Sequence, residues 1–233
     1  MLYAEVKERV FDGRKSARGE LEQCLKNSGL RWVGVDEVGR GCLAGPVYAS
    51  CAILDYERLS ALANDRLKLL RDSKTLSQKQ RFEAVAVVKD CAIEIQTAWA
   101  SAREIEVLGI LQATFLAMRR ALGACKNSFD VVLVDGNQRI PGIDHPQIAV
   151  IKGDSCCHAI AGASIIAKET RDLFMKEQSL EHPGYGFADH VGYGTKAHLE
   201  AITKLGPTPL HRMNFAPLKK SNHQPPLGFH AAE

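Results

Sequence analysis

The spacing of apolar positions changes several times along the chain, and each change marks a predicted element. Short apolar runs bounded by turn residues predict buried strands at residues 32–36, 46–54, 130–136 and 148–151, the last of them of the parallel type. Residues 91–99 alternate between apolar and polar positions, which predicts a half-buried strand. Strands and helices mixed in this way predict an α/β or α+β sheet flanked by helices.

Apolar residues at steps of three and four predict the helices that connect these strands. The predicted helices cover residues 77–89, 102–124 with a break at Gly109, 155–179 and 195–205. Residues 180–194 contain four glycines and one proline, which predicts a loop long enough to carry function.

The two ends of the chain differ from this central pattern. Residues 3–27 are charged, carry a thin apolar stripe and are followed by Gly29, so they predict one helix that packs on the main domain. The polar tail from Lys219 predicts a disordered segment. We therefore expect an N-terminal helical appendage at 1–29, one domain at 30–219 and a flexible tail at 220–233.

Composition narrows the class of protein. The chain has 233 residues, 45% hydrophobic and 24% charged, which suits one soluble domain of ordinary size. No apolar run approaches the roughly 20 residues that span a bilayer, and the N-terminus lacks an apolar signal-peptide core, which disfavours a membrane or secreted protein. Seven cysteines, an odd number placed mostly in apolar stretches, predict free thiols in a reducing cytoplasm. The net charge of +3 permits a nucleic-acid partner without requiring one.

Acidic residues stand where the predicted strands end. Asp36 and Glu37 close the first strand, Asp135 closes the run VVLV, and Asp154 precedes the long helix. If these strands are neighbours, the acids meet at the carboxyl edge of the sheet, where sites are built in α/β folds. Clustered carboxylates must protonate or hold a cation, and oxygen-only ligands select Mg²⁺ or Mn²⁺. Two such ions about 3.5–4 Å apart would clamp a phosphodiester.

Each of these acids also has an ordinary structural explanation when it is considered alone. Asp154 fits a helix N-cap, Asp135 fits an Asp-Gly turn, and the pair at residues 36–37 fits a solvated strand end. Only their combination with the neighbouring glycine turn favours a functional site.

A glycine-rich turn separates the first two predicted strands. Gly39, Gly41 and Gly45 have the wrong spacing for a dinucleotide fingerprint, and a strand follows them instead of a helix. Glycine backbone can approach a ligand closely and hydrogen-bond a small hydroxyl, although a strained turn without function is the alternative. The consecutive residues 156–158, Cys-Cys-His, are poorly placed to surround one metal ion, and no C-x-x-C occurs.

The acids and the glycine turn belong to a longer series of motifs. The series is VDEVGRG at 35–41, GPV at 45–47, DSKTLS at 72–77, VDGN at 134–137, KGD at 152–154, ASIIAK at 163–168, RD at 171–172, YGF at 185–187, GYGT at 192–195 and HR at 211–212. In this order, and over about residues 31–219, the motifs closely resemble the type 2 ribonucleases H of bacteria. Cys42 and Gly162 replace the Pro and Ala that are usual in the family, and residues 156–158 are unusual, but no catalytic group is lost.

The resemblance implies a ribonuclease-H-like fold, which is a mixed sheet flanked by helices with a helical C-terminal part. It implies an endonuclease that hydrolyses the RNA strand of RNA–DNA hybrids and nicks duplex DNA 5′ of single embedded ribonucleotides. The products would carry a 3′-hydroxyl and a 5′-phosphate, formed by two-metal-ion hydrolysis. The implied partners are hybrid duplexes and ribonucleotide-containing DNA, with a sliding clamp as a further candidate, and we expect a cytoplasmic monomer.

The resemblance also assigns roles to residues of this sequence. The catalytic carboxylates, which would hold two Mg²⁺ or Mn²⁺ ions, correspond to Asp36, Glu37, Asp135 and Asp154. Recognition of the ribose 2′-hydroxyl and of the RNA-to-DNA junction corresponds to Gly39, Arg40, Gly41 and Tyr193. Contacts with backbone phosphates are expected from Ser73, Lys74, Asn137, Ser164 and Lys168.

Two other classes of function stay open at this point. One is a different metal-dependent nuclease or a strand-transfer enzyme on the same fold. The other is a non-catalytic module that binds duplexes, which the presence of all four acids disfavours.

Overall fold

The fold is organised around one six-stranded mixed sheet, seen in a computed structural model that describes residues 10–13 and 16–219. The strands are β1 (Val10–Asp12), β2 (Trp32–Val38), β3 (Val47–Leu54), β4 (Ala92–Ala100), β5 (Val131–Asp135) and β6 (Gln147–Ile151). Their order across the sheet is β1-β6-β5-β2-β3-β4. β2, β3 and β4 are antiparallel neighbours, whereas β1, β6, β5 and β2 run parallel.

Helices cover both faces of this sheet. They are α1 (Glu20–Asn27), α2 (Tyr56–Ser60), α3 (Asn64–Leu67), α4 (Gln78–Cys91), α5 (Ala102–Leu108), α6 (Ile110–Gly123), α7 (Gly153–Cys156), α8 (His158–Glu181), α9 (Phe187–His190) and α10 (Lys196–Leu205). On one face α1, α2, α4 and α8 contribute to the apolar core, and on the other face α5 and α6 do so. A third, smaller core joins the end of α8 to α9 and α10.

The central strands are buried on both faces, which explains their nearly continuous apolar sequences. Every residue of β3 is buried, and β2 is buried except at Glu37. Helix α8 crosses β2 very closely at Gly34, where an added Cβ would lie 2.3 Å from the carbonyl carbon of Ala159. Only glycine permits this approach, which packs the first turn of α8 directly against β2.

The predicted fold class and most predicted elements are confirmed. The break at Gly109 separates α5 from α6, and capping boxes at Ser77 and Ser101 begin α4 and α5. The long helix predicted at 155–179 is divided at Cys157 into α7 and α8. The loop predicted at 180–194 contains the short helix α9.

The prediction of a single helix over residues 3–27 is wrong. Residues Val10–Asp12 form β1, which pairs with the open edge of β6, and helix α1 begins only at Glu20. The reason is that pairing with a free sheet edge overrides a weak local preference for helix. Residues 1–9 and the tail predicted at 220–233 lie outside the described residues.

The described part of the chain contains no helix that is both long and apolar enough to cross a membrane. All seven cysteines are free thiols, as predicted, and most of them are buried.

Candidate active site

Four acidic residues lie at one edge of the sheet, where the parallel strands end. Asp36 and Glu37 end β2, Asp135 ends β5, and Asp154 lies in α7 directly after β6. Because Val35 of β2 pairs with Val134 of β5, the next residues, Asp36 and Asp135, follow at the same level on adjacent parallel strands. The structure therefore brings together the four acids that the strand pattern singled out.

Backbone hydrogen bonds hold two of these carboxylates. One oxygen of Asp36 accepts a hydrogen bond from the Glu37 N–H at 2.7 Å. One oxygen of Asp135 accepts hydrogen bonds from the N–H groups of Gly153 at 2.7 Å and Asp154 at 3.4 Å. The bonds to Asp135 tie the end of β5 to the beginning of α7, so they fix the position of Asp135 relative to Asp154.

Burial and mutual repulsion make this cluster unfavourable in its charged form. Burial, followed by the charges of Glu37 and Asp135, raises the pKa of Asp36 well above its ordinary value. Burial, followed by Asp154 and Glu37, raises the pKa of Asp135 to about 6. Burial, followed by Asp72, raises the pKa of Asp154. A cation placed among these groups would favour their charged forms and so lower these pKa values.

The chemistry of the donor set fits hard divalent cations. All four groups are carboxylates, and Asp36 is only 5% exposed, so its charge lacks solvent compensation. In the described chain, no group of three or more His, Cys, Asp or Glu side chains is already arranged to hold a metal ion. Glu37 instead pairs with Arg40 at 3.2 Å, so sharing an ion would require it to reorient.

A lysine, Lys74, and a fourth aspartate, Asp72, lie beside this cluster. The pKa of Lys74 is raised: burial lowers it, but the charges of Asp36, Asp72 and Asp154 together outweigh that effect. Asp72 accepts a hydrogen bond from the Lys74 N–H at 2.9 Å and caps the 3-10 turn at Ser73–Thr75. The effect of the Asp72 charge on the pKa values of Lys74 and Asp154 was not predicted, because the sequence around Asp72 indicates only a turn.

Two serines expected to contact phosphate lie behind Asp36. The hydroxyl oxygens of Ser73 and Ser164 are 3.0 Å apart, and both side chains are buried. A hydrogen bond from Ser164 favours the charged form of Asp36 and partly offsets the effect of burial on its pKa. In this arrangement the serines support the carboxylate, and their contact with a phosphate stays a prediction.

A groove of about 380 Å³ begins beside the cluster and contains Lys74, Lys168 and Tyr193. Its charged lining is mixed: four cations, Lys74, Arg81, Lys168 and Lys176, face three acids, Glu169, Asp172 and Asp189. Lys168 is ion-paired with Asp172 at 2.7 Å. Asn137 is exposed and lies on the other side, in a small cavity that it shares with Glu37, Arg40 and Asp135.

The two glycines that flank Arg40 have different surroundings. Gly39 has φ +91°, and an added Cβ would lie 2.2 Å from Nε of Arg171, so this glycine is required by packing. Among the described residues, apart from its two chain neighbours, nothing lies within 4 Å of the Cβ position of Gly41. Gly41 is therefore the glycine whose backbone a ligand can approach.

Two fully buried arginines hold this glycine turn in place. Arg171 donates to the carbonyl oxygens of Pro46 at 3.0 Å, Ala44 at 3.0 Å and Val191 at 2.8 Å. Arg212 donates to the carbonyl oxygens of Gly45 and Arg40, both at 2.9 Å, and burial lowers its pKa to about 10. Sequence reasoning assigned no role to these arginines, although both stand in the motifs that carry the resemblance.

Comparison with known proteins identifies the family. The family model described as Ribonuclease HII matches residues 33–218. Ribonuclease HII of Synechococcus elongatus is 44% identical over 178 residues, which cover 74% of this chain and 80% of that protein.

Solved structures share the fold at lower sequence identity. Ribonuclease H2 from Pyrococcus horikoshii OT3 has a TM-score of 0.67 and 22% identity, covering 81% of this chain and 95% of that one. The RNase HII in a PCNA complex from Archaeoglobus fulgidus has a TM-score of 0.62 and 21% identity, with 83% and 98% covered. Bst-RNase HIII in complex with Mn²⁺ has a TM-score of 0.62 and 18% identity, with 82% and 68% covered.

Proposed function

The chain belongs to the ribonuclease HII family, whose members are metal-dependent endonucleases, and we propose that it cleaves RNA in RNA–DNA hybrids and nicks DNA 5′ of single embedded ribonucleotides. The observation that carries this proposal is the juxtaposition of a buried acidic cluster with an open glycine turn. The cluster supplies a site for cations and a scissile phosphate, and Gly41 supplies backbone that can approach a 2′-hydroxyl.

The acidic cluster would bind the divalent ions and align the scissile phosphate. Asp36 and Asp135 are the central ligand candidates, because their carboxylates lie at the ends of adjacent strands and are held by backbone N–H groups. Asp154 and Glu37 would supply the remaining carboxylate ligands. Two Mg²⁺ or Mn²⁺ ions bound there would lower the pKa of the attacking water and stabilise the departing 3′ oxygen.

The residues around the cluster would select the substrate. Arg40 is exposed and forms an ion pair with Glu37 at 3.2 Å. The backbone of Gly39, Arg40 and Gly41 would hydrogen-bond the 2′-hydroxyl, which is the group that distinguishes a lone ribonucleotide in DNA. Tyr193 is 38% exposed and lines the groove, and its ring would stack on the sugar of the adjoining deoxynucleotide.

Phosphates of the bound strand would contact the cationic side of the groove. Lys74 and Lys168 line it. Ser73 and Ser164 are buried next to each other outside this lining, so a phosphate contact from them would have to be made beside Asp36. Asn137 would extend the contact beyond Asp135. A sliding clamp is a second partner that we propose, since the RNase HII of Archaeoglobus fulgidus is known in complex with PCNA.

A nicking assay tests the proposal. End-labelled duplexes with one internal ribonucleotide, with a continuous RNA strand and with DNA only are incubated with the full chain and Mg²⁺ or Mn²⁺. We expect cleavage of the first two, with product 3′ ends that a DNA polymerase extends without prior phosphatase treatment. Asp36→Asn and Asp135→Asn should lower the cleavage rate by about 10³-fold or more while duplex binding in EDTA is retained.

Other outcomes of the assay distinguish the other classes. Metal-dependent activity of wild-type level in both aspartate variants would exclude the acidic cluster as the catalytic centre. Cleavage of the all-DNA duplex, or of a branched DNA, would indicate another nuclease or a strand-transfer enzyme of this fold. Binding of the hybrid without any cleavage would indicate a non-catalytic module.

A further inference from the structure

Three histidines pack together directly beneath the segment that carries Tyr193. The rings of His190 and His198 are stacked with centroids 4.3 Å apart, and those of His198 and His211 are 5.2 Å apart. His198 and His211 are 0% and 2% exposed, and the fully buried ring of Phe187 contacts both. None of these histidines reaches the acidic cluster by a described hydrogen bond, so the proposed chemistry leaves their burial unexplained.

The hydrogen bonds of this cluster form a chain that ends on Tyr193. The carbonyl oxygen of Tyr193 lies 2.8 Å from Nδ1 of His198. Nε2 of His198 lies 3.1 Å from Nε2 of His211, and Nδ1 of His211 lies 2.8 Å from the backbone nitrogen of Thr208. The chain therefore connects the turn after α10 with the backbone of Tyr193.

The partners at the two ends determine where each proton lies. A carbonyl oxygen can only accept, so Nδ1 of His198 donates to Tyr193. A backbone N–H can only donate, so Nδ1 of His211 accepts from Thr208. Neutral His211 then carries its proton on Nε2 and donates it to Nε2 of His198. One pair of tautomers satisfies every nitrogen, and a second proton on either ring would place two N–H groups against each other.

We infer that His198 and His211 are positioning residues that fix the backbone of Tyr193 so that its ring can read the RNA-to-DNA junction. The inference rests on the junction role proposed for Tyr193. The segment needs such support, because Val191 has φ 43°, a left-handed conformation that is costly for a β-branched residue. Arg171 holds the carbonyl of Val191, and the histidine pair holds that of Tyr193.

The surroundings of the pair favour the neutral rings that the chain requires. In the described structure, the titratable groups that act on the pair are His182 and His190, and the phenol ring of Tyr185 packs on His211. Burial, followed by His198, lowers the pKa of His211 to about 4, and burial also lowers the pKa of His198. Both rings are therefore neutral near pH 7.

Two substitutions of His198 separate the contact with Tyr193 from the contact with His211. In His198→Asn the shorter amide reaches the position of Nδ1 and can still donate to Tyr193. In His198→Gln the longer amide reaches the position of Nε2 and loses that donor. His182→Gln is the matched control, because His182 acts on His211 through its charge alone and lies outside the hydrogen-bond chain. Circular dichroism and thermal unfolding establish that each variant is folded.

The expected result is a loss confined to junction recognition. For a duplex with one ribonucleotide, kcat/KM of His198→Gln should fall by about tenfold, and His198→Asn should stay within about threefold of wild type. On a continuous RNA–DNA hybrid the loss should be smaller. In a Tyr193→Ala background, His198→Gln should cause no further loss, because the residue it positions is gone.

The other outcomes overturn the inference in distinguishable ways. If Tyr193→Ala nicks like wild type, the junction role proposed for Tyr193 fails and the inference fails with it. If Tyr193→Ala is impaired but His198→Gln is fully active, only the positioning role fails. The same holds if the loss of activity from His198→Gln adds in full to that of Tyr193→Ala in the double variant. Equal losses of His198→Gln on both substrates would also overturn it, since they indicate a general structural effect.

A measurement on the wild-type chain keeps the inference testable if the variants do not fold. Long-range ¹H–¹⁵N spectra of the uniformly ¹⁵N-labelled protein near pH 7 report the histidine tautomers. We expect His198 protonated at Nδ1 and His211 protonated at Nε2. The opposite tautomer at His198, or a doubly protonated ring at either position, would overturn the chain of hydrogen bonds.

Discussion

At the scale of single residues, the two glycines beside Arg40 are needed for different reasons. Gly39 accommodates the guanidinium of Arg171 in a left-handed turn, whereas the Cβ position of Gly41 has no neighbour within 4 Å in the described structure beyond the adjacent residues of the turn. The two glycines of this G-x-G motif therefore differ in role. Packing requires Gly39, whereas Gly41 offers a surface that a ligand can approach. Substituting alanine at each position should separate them.

We expect Gly39→Ala to lower stability and Gly41→Ala to lower activity. Gly39→Ala forces a side chain into φ +91° and against Arg171, which should cost about 1–3 kcal/mol of the free energy of unfolding. Gly41→Ala should change that free energy by less than about 0.5 kcal/mol but place a methyl group where the 2′-hydroxyl would bind. Urea unfolding and the single-ribonucleotide nicking rate measure the two effects. Full nicking activity in Gly41→Ala would contradict the assigned role.

At the scale of elements, helix α1 is tied to the long helix α8 by one buried carboxylate. Glu22 is 1% exposed and accepts hydrogen bonds at 2.9 Å from the backbone N–H of His158, the backbone N–H of Ala159 and Nδ1 of His158. These groups begin α8, whose first N–H groups would otherwise be unsatisfied. The unusual His158 thus has a partner, and α1 contributes to the central core.

Removing this carboxylate should destabilise the whole chain. Glu22→Ala leaves the buried donors of His158 and Ala159 without an acceptor, which should cost about 2–4 kcal/mol of the free energy of unfolding. Glu57→Ala is the matched control, because the side chain of Glu57 is 80% exposed and its ion pair with Lys26 should contribute less than about 1 kcal/mol. Urea unfolding at neutral pH checks both. Equal losses of unfolding free energy in the two variants would show that buried Glu22 stabilises the chain no more than an exposed ion pair does.

The sequence predicts those elements and site residues whose signals are local. Apolar runs that end in Asp predict β2 and β5 together with Asp36 and Asp135, since burial and strand ends are properties of a few consecutive residues. Strand β1 is different, because its three residues are too few to show a hydrophobic period. They form a strand only by pairing with β6. Arg171 and Arg212 bind carbonyls 125 and 167 residues away in the sequence, so their roles appear only in the folded chain.

At the scale of the whole molecule, the acidic cluster should make stability depend on pH and on divalent ions. The pKa of Asp135 is raised to about 6, so the folded state holds a proton more tightly than the unfolded state. Without a cation, this group makes the fold less stable as pH rises from about 4 to about 6, and the loss persists above that range. His211 acts in the opposite sense, because its pKa is lowered to about 4 and stability is lost as pH falls from about 6.5 towards that value.

Comparing wild type with Asp135→Asn isolates the acidic contribution, because the histidine contribution is common to both proteins. Asparagine keeps an acceptor for the N–H of Gly153 but removes the charge. In EDTA at pH 8, Asp135→Asn should be more stable than wild type by on the order of 1–2 kcal/mol, and the difference should disappear near pH 4. Adding Mg²⁺ should raise the unfolding midpoint of wild type more than that of the variant, because bound cations relieve the repulsion. Urea unfolding at both pH values checks the prediction. An asparagine variant that is less stable than wild type in EDTA at pH 8 would show that the native contacts of the carboxylate outweigh its burial and repulsion.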